Sequence, residues 1–198
     1  NAVLVMPAIG ASTTGTASSM PPMLRGLAAT DVDTPRLFQN EGMVTGRERV
    51  AADAEARGIP VEFVERMRAS SLEEAASILG IEPGDIVKSL VVRRHDGTYL
   101  FALVPGDRQI SWPKLRAVVG VNKLRLPEAE LALEATGFER GTITPLGSTT
   151  AWPVFVDERV AGRRVSMGAG EHGYSLFTQA DDLVRGLGAT YADISDPS

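Results

Sequence analysis

The stretch from Ile86 to Val104 restricts the fold of this chain more than any other. Two apolar runs, Ile86-Val87-Lys88-Ser89-Leu90-Val91-Val92 and Thr98-Tyr99-Leu100-Phe101-Ala102-Leu103-Val104, flank His95-Asp96-Gly97. Asp-Gly supplies the positive φ of a tight turn, so the pair reads as a β-hairpin packed on a core. Lys88 interrupts the first run. Desolvating an ammonium there is costly unless an anion or fixed dipoles receive it. Either Lys88 points to water with its stem along the sheet, or it faces a cavity for an anionic or carbonyl-bearing ligand.

Around the hairpin the elements are short. Glu48 to Arg57 is a helix candidate stopped by Gly58, and Ile59-Pro60-Val61-Glu62-Phe63-Val64 alternates as an edge strand with proline at its start. Ser71-Leu72-Glu73-Glu74 is a capping box opening a helix through Leu79. Ser111 can cap a helix through Val119, and Pro127 opens another ending near Gly137. Strand-like runs follow at 152–157, 164–167 and 174–177, then a final helix over 180–187. Hairpins alternate with short helices without repeated βαβ units. The expected class is therefore α+β, with a curved mixed, largely antiparallel, barrel-like sheet flanked by short helices.

Residues 1–42 read differently. Asn1 to Thr30 is rich in Ala, Ser, Thr, Gly, Pro and Met, and Asp31-Val-Asp-Thr-Pro35 suits a turn or extended chain. This stretch is expected to be an irregular N-terminal extension. Met43 is a candidate internal start, and a signal peptide is not indicated because no charged segment precedes a clean apolar one. The folded domain is expected over 43–198.

Composition removes several chemistries. There are no cysteines and only two histidines, His95 and His172, among 198 residues. Disulfides, thiolate nucleophiles and Cys-based metal sites are excluded, and a His-rich metal centre is not expected. No apolar run approaches the roughly 18 residues that span a bilayer. A net charge of −5 speaks against bulk coating of nucleic acid. Between Lys88 and Arg125, however, eight basic residues face two acidic ones, a surplus of six that leaves −11 for the remainder. Such asymmetry suits one face touching a phosphate backbone, or is a set of solvated faces.

Two glycine-rich strings could carry chemistry. Gly168-Ala169-Gly170-Glu171-His172-Gly173 matches G-x-G-x-x-G, but Tyr174-Ser175-Leu176-Phe177 continues as strand and not as the helix a dinucleotide site requires. Its glycines instead let backbone approach a ligand or another strand. Gly141-Thr142-Ile143-Thr144-Pro145-Leu146-Gly147 reads as a fixed loop, either an ordinary connection or one presenting N–H groups to a carbonyl oxygen. G-x-S-x-G, H-E-x-x-H and the P-loop pattern are all lacking. His95, beside a turn, is expected to face solvent, and His172 is a surface loop residue or a ligand contact.

Together, Ile86 to Val92, Gly141-x-x-x-Pro145-Leu146-Gly147 and Gly168 to Leu176 resemble the YbaK/EbsC family, in order and spacing. Asp182-Leu183 and Ala189-Thr190-Tyr191-Ala192-Asp193-Ile194 look like that family's last helix and strand. The family includes free-standing aminoacyl-tRNA deacylases and the editing domain inserted in bacterial prolyl-tRNA synthetases. The resemblance covers about residues 48–196. It implies a cytoplasmic trans-editing hydrolase that cleaves the ester of mischarged aminoacyl-tRNA without a protein nucleophile, cofactor or metal. Lys88, Gly141 and Pro145 would be catalytic, with Lys88 holding the 3′ end and the GxxxP backbone aligned on the carbonyl. Ser89, Thr142, Ile143, Thr144, Leu146, Gly147, Gly168, Ala169, Gly170, His172 and Ser175 would bind substrate.

The implied partners are the aminoacyl-tRNA 3′ end and an aminoacyl-tRNA synthetase, with no membrane. Some members carry Gly-Gly where this chain has Gly141-Thr142, and a different polar or charged residue where it has His172 and Ser175, so the amino acid removed stays open. A non-catalytic module binding aminoacyl-adenosine or a small acyl ligand is the alternative function. A purely structural protein with Lys88 on an open face is a third reading.

Overall fold

The computed structural model describes residues 44–67 and 69–198. The expectations for residues 1–42 and for Met43 lie outside the described residues.

Helix α1 spans Gly46–Ala56, starting earlier than the periodicity suggests because Thr45 caps it. The Thr45 hydroxyl accepts from the Glu48 N–H at 3.1 Å, and the Glu48 carboxylate accepts from the Thr45 N–H at 2.7 Å, so two helix-end donors are satisfied reciprocally. Helix α2, Leu72–Leu79, is capped by Ser71 Oγ. The expected capping box there is only half formed. Glu74 reaches past Ser71 to the N–H and hydroxyl of Ser70, both at 2.6 Å.

The hairpin forms as its turn chemistry requires. Strand β2 (Val87–Arg94) pairs antiparallel with β3 (Tyr99–Pro105), with Lys88 opposite Val104 and Val91 opposite Phe101. Asp96 accepts from the N–H and hydroxyl of Thr98, and Gly97 supplies φ 86°. Three further strands complete a five-stranded mixed sheet in the order β5-β2-β3-β6-β9: β5 is Leu124–Arg125, β6 Val154–Asp157 and β9 Thr190–Ala192. The β3–β6 and β6–β9 pairs are parallel. The helices α3 (Trp112–Val119) and α4 (Ala129–Thr136) lie within the long connection that makes the first of these possible.

A second, antiparallel sheet orders β1 (Glu62–Glu65), β8 (Tyr174–Gln179) and β7 (Arg164–Gly168). A pair of short strands, β4 (Arg108–Ile110) and β10 (Ser195–Pro197), forms a third unit. The main core lies between the two larger sheets: Val87, Val91, Phe101 and Leu103 meet Met167 and Leu176. On the other face of the five-stranded sheet, Val92, Leu100, Ala102 and Val104 pack with Leu115 of α3 and Ile194. Alternation along β2 and β3 thus feeds two cores, the pattern of a strand buried on both faces.

The architecture is α+β, as expected, with one correction. The sheets do not close into a barrel. A single parallel bridge, Ile86 with Ser166, links the two larger sheets at one corner. The terminal helix α5, Ala180–Leu187, has the expected bounds and ends at Gly188 in the left-handed conformation.

Candidate functional site

Strand β2 is fully paired with β3 on one side, but on the other it meets only the two-residue β5, at Arg93 and Arg94. From Val87 to Val91 no strand among the described residues covers that edge. A cavity of about 440 Å3 runs along it, within the range of small-ligand sites. Its walls come from β2, from α2 (Leu79), from the chain around α4 (Pro127, Ala132), from Gly141 and Ile143, and from the β7–β8 hairpin (Met167, Gly168, Ser175).

Lys88 lies in this wall, half-buried. Its ammonium donates to the carbonyl of Gly106 at 2.9 Å, in the turn from β3 to β4, and to that of Arg108, the first residue of β4. Fixed dipoles, not a paired carboxylate, therefore receive the cation. Burial holds its pKa below the usual lysine range, while the neighbouring Asp107 carboxylate works the other way. An ammonium has three donors, and two of them go to these carbonyls.

The close approach of backbone to backbone fixes the far wall. A Cβ built on Gly168 would come within 2.4 Å of the Ile143 carbonyl oxygen and 2.7 Å of the Thr142 carbonyl carbon, so only glycine lets β7 lie against the 141–143 loop. Gly141 itself holds φ 94°. The N–H of Gly170 donates to the Thr142 carbonyl at 2.9 Å, and both the N–H and the hydroxyl of Thr142 donate to the Glu139 carbonyl. The G-x-G-x-x-G string is thus a β7–β8 hairpin turn that pins this loop, and no helix follows it.

Of the residues singled out above, Lys88, Ser89, Gly141, Ile143, Gly168 and Ser175 line the cavity. The others are not brought into its wall. Thr142, Thr144, Pro145, Leu146 and Ala169 are buried behind it. Gly147 donates its N–H to Asp53 at 2.9 Å and packs on the backbone of α1. Gly170 packs against Gly46, and His172 is exposed beside Glu139, 3.1 Å away. His95 is exposed as expected.

Two cavity residues carry no signal in their own sequence neighbourhood strong enough to single them out. Arg66 follows edge strand β1 and donates from Nε to Ser175 Oγ at 2.8 Å. Arg140 precedes Gly141 and also lines the cavity. Adjacency to the Gly141 loop is the one pointer to Arg140, whereas Arg66 depends on the long-range pairing of β1 with β8. Among the described residues, three cations and no carboxylate therefore line this hollow. Ser89 Oγ is buried there with no hydrogen-bond partner among the described residues. The arrangement suits a ligand rich in oxygen acceptors: a carbonyl, ribose hydroxyls, a phosphodiester.

Among the described residues there is no group of His, Cys, Asp and Glu able to hold a metal, and no helix long and apolar enough to cross a membrane.

Comparison with known proteins gives a consistent picture. The aminoacyl-tRNA editing domain profile matches residues 67–185. The proline–tRNA ligase of Thermosipho africanus is 41% identical over 78 residues, which are 39% of this chain and 14% of the ligase. That of Bacillus licheniformis is 28% identical over 134 residues, 65% of this chain and 23% of the ligase. This chain therefore spans less than a quarter of those relatives. The crystal structure of a proposed trans-editing enzyme for prolyl tRNA synthetase superposes with a TM-score of 0.71 at 30% identity, covering 78% of this chain and 99% of that one. The matched segment begins just after β1 and ends within α5, taking in almost every wall of the Lys88 cavity, and the chain belongs to the aminoacyl-tRNA editing domain family.

Proposed function

We propose that this protein is a trans-editing aminoacyl-tRNA deacylase, which hydrolyses the ester between a wrongly attached amino acid and the terminal ribose of tRNA. The observation that carries this reading is the cavity on the bare edge of β2, where Lys88, Gly141, Gly168 and Ser175 meet. Similarity over 99% of the chain of a proposed trans-editing enzyme supports action in trans.

The chemistry asks little of side chains. An aminoacyl ester is an activated acyl group, and water adding to its carbonyl carbon releases the amino acid and returns a hydroxyl to the ribose. The site's task is to hold the ester and stabilise the negative charge that grows on the carbonyl oxygen. Gly141 and Ile143 line the cavity, and their N–H groups donate to no acceptor among the described residues. Those groups and the remaining N–H of Lys88 are the donors assigned to the carbonyl and to the 3′-terminal ribose. Lys88 positions and polarises. With two carbonyls gripping its ammonium it is not the covalent nucleophile. Ser89, beneath the bare edge, and Ser175, tied to Arg66, contact the amino-acid part. Pro145, Leu146 and Gly147 fix the loop against α1 from behind.

Purified protein incubated with a panel of mischarged tRNAs tests the reading. At least one ester should be lost faster than in buffer, and Lys88→Ala should slow that loss by about 10²-fold, the usual effect of removing one oxyanion donor. No loss from any tRNA, with Lys88→Ala indistinguishable from wild type, overturns it. Thermal stabilisation by an aminoacyl-adenosine analogue without turnover would assign the cavity to binding alone.

A further inference from the structure

A second cavity, of about 550 Å3, lies at the opposite end of β2. Arg93, Arg94, His95, Arg116, Lys123 and Arg125 line it, and among the described residues no carboxylate does. They come from the end of β2, the hairpin turn, the last turn of α3, and β5 with the residue before it. None of the five Lys and Arg side chains forms an ion pair among the described residues, although other arginines do: Arg57, Arg159, Arg163, Arg164 and Arg185 each hold a carboxylate.

Two details mark this hollow as more than a solvated face. Arg93 and Arg125 are direct cross-strand partners, a like-charge pairing that a short two-residue strand has to tolerate where it joins the sheet. Arg94 Nε is buried and has no hydrogen-bond acceptor among the described residues. A repelling pair and an orphaned guanidinium donor both ask for an anion.

We propose that this cavity binds the phosphodiester backbone of the tRNA, gripping phosphates several nucleotides away from the ester. The choice of RNA as the polyanion rests on the editing function proposed above; the need for anionic phosphate rests on the cavity alone. Lys88 and Arg94 stand six residues apart on one strand, about 20 Å at ~3.3 Å per residue. A few nucleotides of extended strand cover that distance. With the ester beside Lys88, the backbone leading toward the acceptor stem reaches the arginines. Contacts of this kind position a nucleic acid without reading its sequence.

The test is equilibrium binding of full-length protein to uncharged tRNA between about 50 and 200 mM salt. Uncharged tRNA has no ester, so the result is independent of whether the protein hydrolyses one. Arg93→Gln with Arg125→Gln should weaken binding about tenfold and reduce the slope of log Kd against log salt by about 2, one for each phosphate left without its arginine. Arg116→Gln should give about half that slope change from another element. Because the repelling pair is relieved, the double variant should melt no lower than wild type, which separates weakened binding from impaired folding. Arg185→Gln, on α5 and paired with Asp182, serves as the control and should leave affinity unchanged. Wild-type affinity and slope in the folded double variant would overturn the proposal. So would pyrophosphate stabilising the wild type but not the variant while tRNA affinity stays equal, which would make the hollow a small-anion site.

Discussion

The two ends of β2 hold cations in opposite ways. At Lys88 a single ammonium is half-buried and gripped by two backbone carbonyls, beside an apolar wall. At Arg93 and Arg94 several cations crowd an open hollow without a carboxylate among the described residues to claim them. One strand thus separates a charge fixed in direction from charges left free to receive whatever arrives. In the first place the geometry is set before a ligand binds, as a reacting centre needs. In the second, long side chains can adjust to a flexible backbone. Six of the eight basic residues between 88 and 125 belong to these unlike populations, Lys88 to the first and Arg93, Arg94, Arg116, Lys123 and Arg125 to the second. Lys114 belongs to neither, since it pairs with Asp193 and Asp196, whose hydrogen bonds raise its pKa.

The comparison breaks most violently at Gly168. Gly168→Val drives a side chain into the Thr142 and Ile143 carbonyls and should abolish deacylation while costing about 1–3 kcal/mol of stability in a urea melt. Full activity in this variant would mean that the 141–143 loop has no role. Next in size is Lys88→Met. The rate on mischarged tRNA should fall about 10²-fold while affinity for uncharged tRNA, set at the other end of the strand, changes less than about threefold, far below the tenfold effect of neutralising two phosphate-binding arginines. A large loss of affinity instead would merge the two sites into one.

A smaller effect is carried by pH. Burial lowers the Lys88 pKa in the folded protein, so this ammonium loses its proton at a lower pH than an unfolded lysine does. Between those two values the unfolded chain binds more protons, and stability gains from this group as pH rises through the folded value. If Lys88 acts as the proposed cation, the deacylation rate should move the other way over the same window, because the cation is lost. Urea melts and rates measured across the alkaline range should show both trends, and Lys88→Met should show neither. If the rate climbs with the uncatalysed ester reaction throughout, Lys88 is not needed as a cation. Smallest of all, His172→Ala removes only an exposed partner of Glu139 and should change stability by less than about 0.5 kcal/mol and turnover by less than about twofold. A tenfold loss of turnover would place His172 in contact with substrate.

Much of this is legible in the residues because it is local. Asp96-Gly97 and two apolar runs define the β2–β3 hairpin, and the final helix expected over about 180–187 is α5, Ala180–Leu187. Lys88 stands out because a cation in an apolar run needs a receiver, though nothing local reveals that the receiver is the pair of Gly106 and Arg108 carbonyls. What stays hidden depends on distant pairing. Strands β4, β5 and β10 have two or three residues each, too few to show a period. The parallel pairing of β6 and β9 comes from crossovers, and the open sheet edges follow from it. In the Gly141 to Gly147 string, glycine and proline mark a fixed loop but not which side of it faces the cavity. Only packing on α1, through Asp53 and the Gly147 N–H, separates Gly141 and Ile143 in front from Pro145 and Leu146 behind.

The grip on Lys88 reaches further than the cavity. Arg108, whose carbonyl takes the ammonium, is the first residue of β4, and β4 is held in place by β10. Arg108 Nε donates to Ser195 Oγ at 2.7 Å, and Lys114 Nζ donates to the Ser195 carbonyl at 2.8 Å. Ser195–Pro197 therefore behaves as a latch: release of that strand would let the Arg108 carbonyl swing and leave the lysine aimed at nothing in particular. A mutation or fusion at this distant strand could silence the site without touching a single residue of its wall.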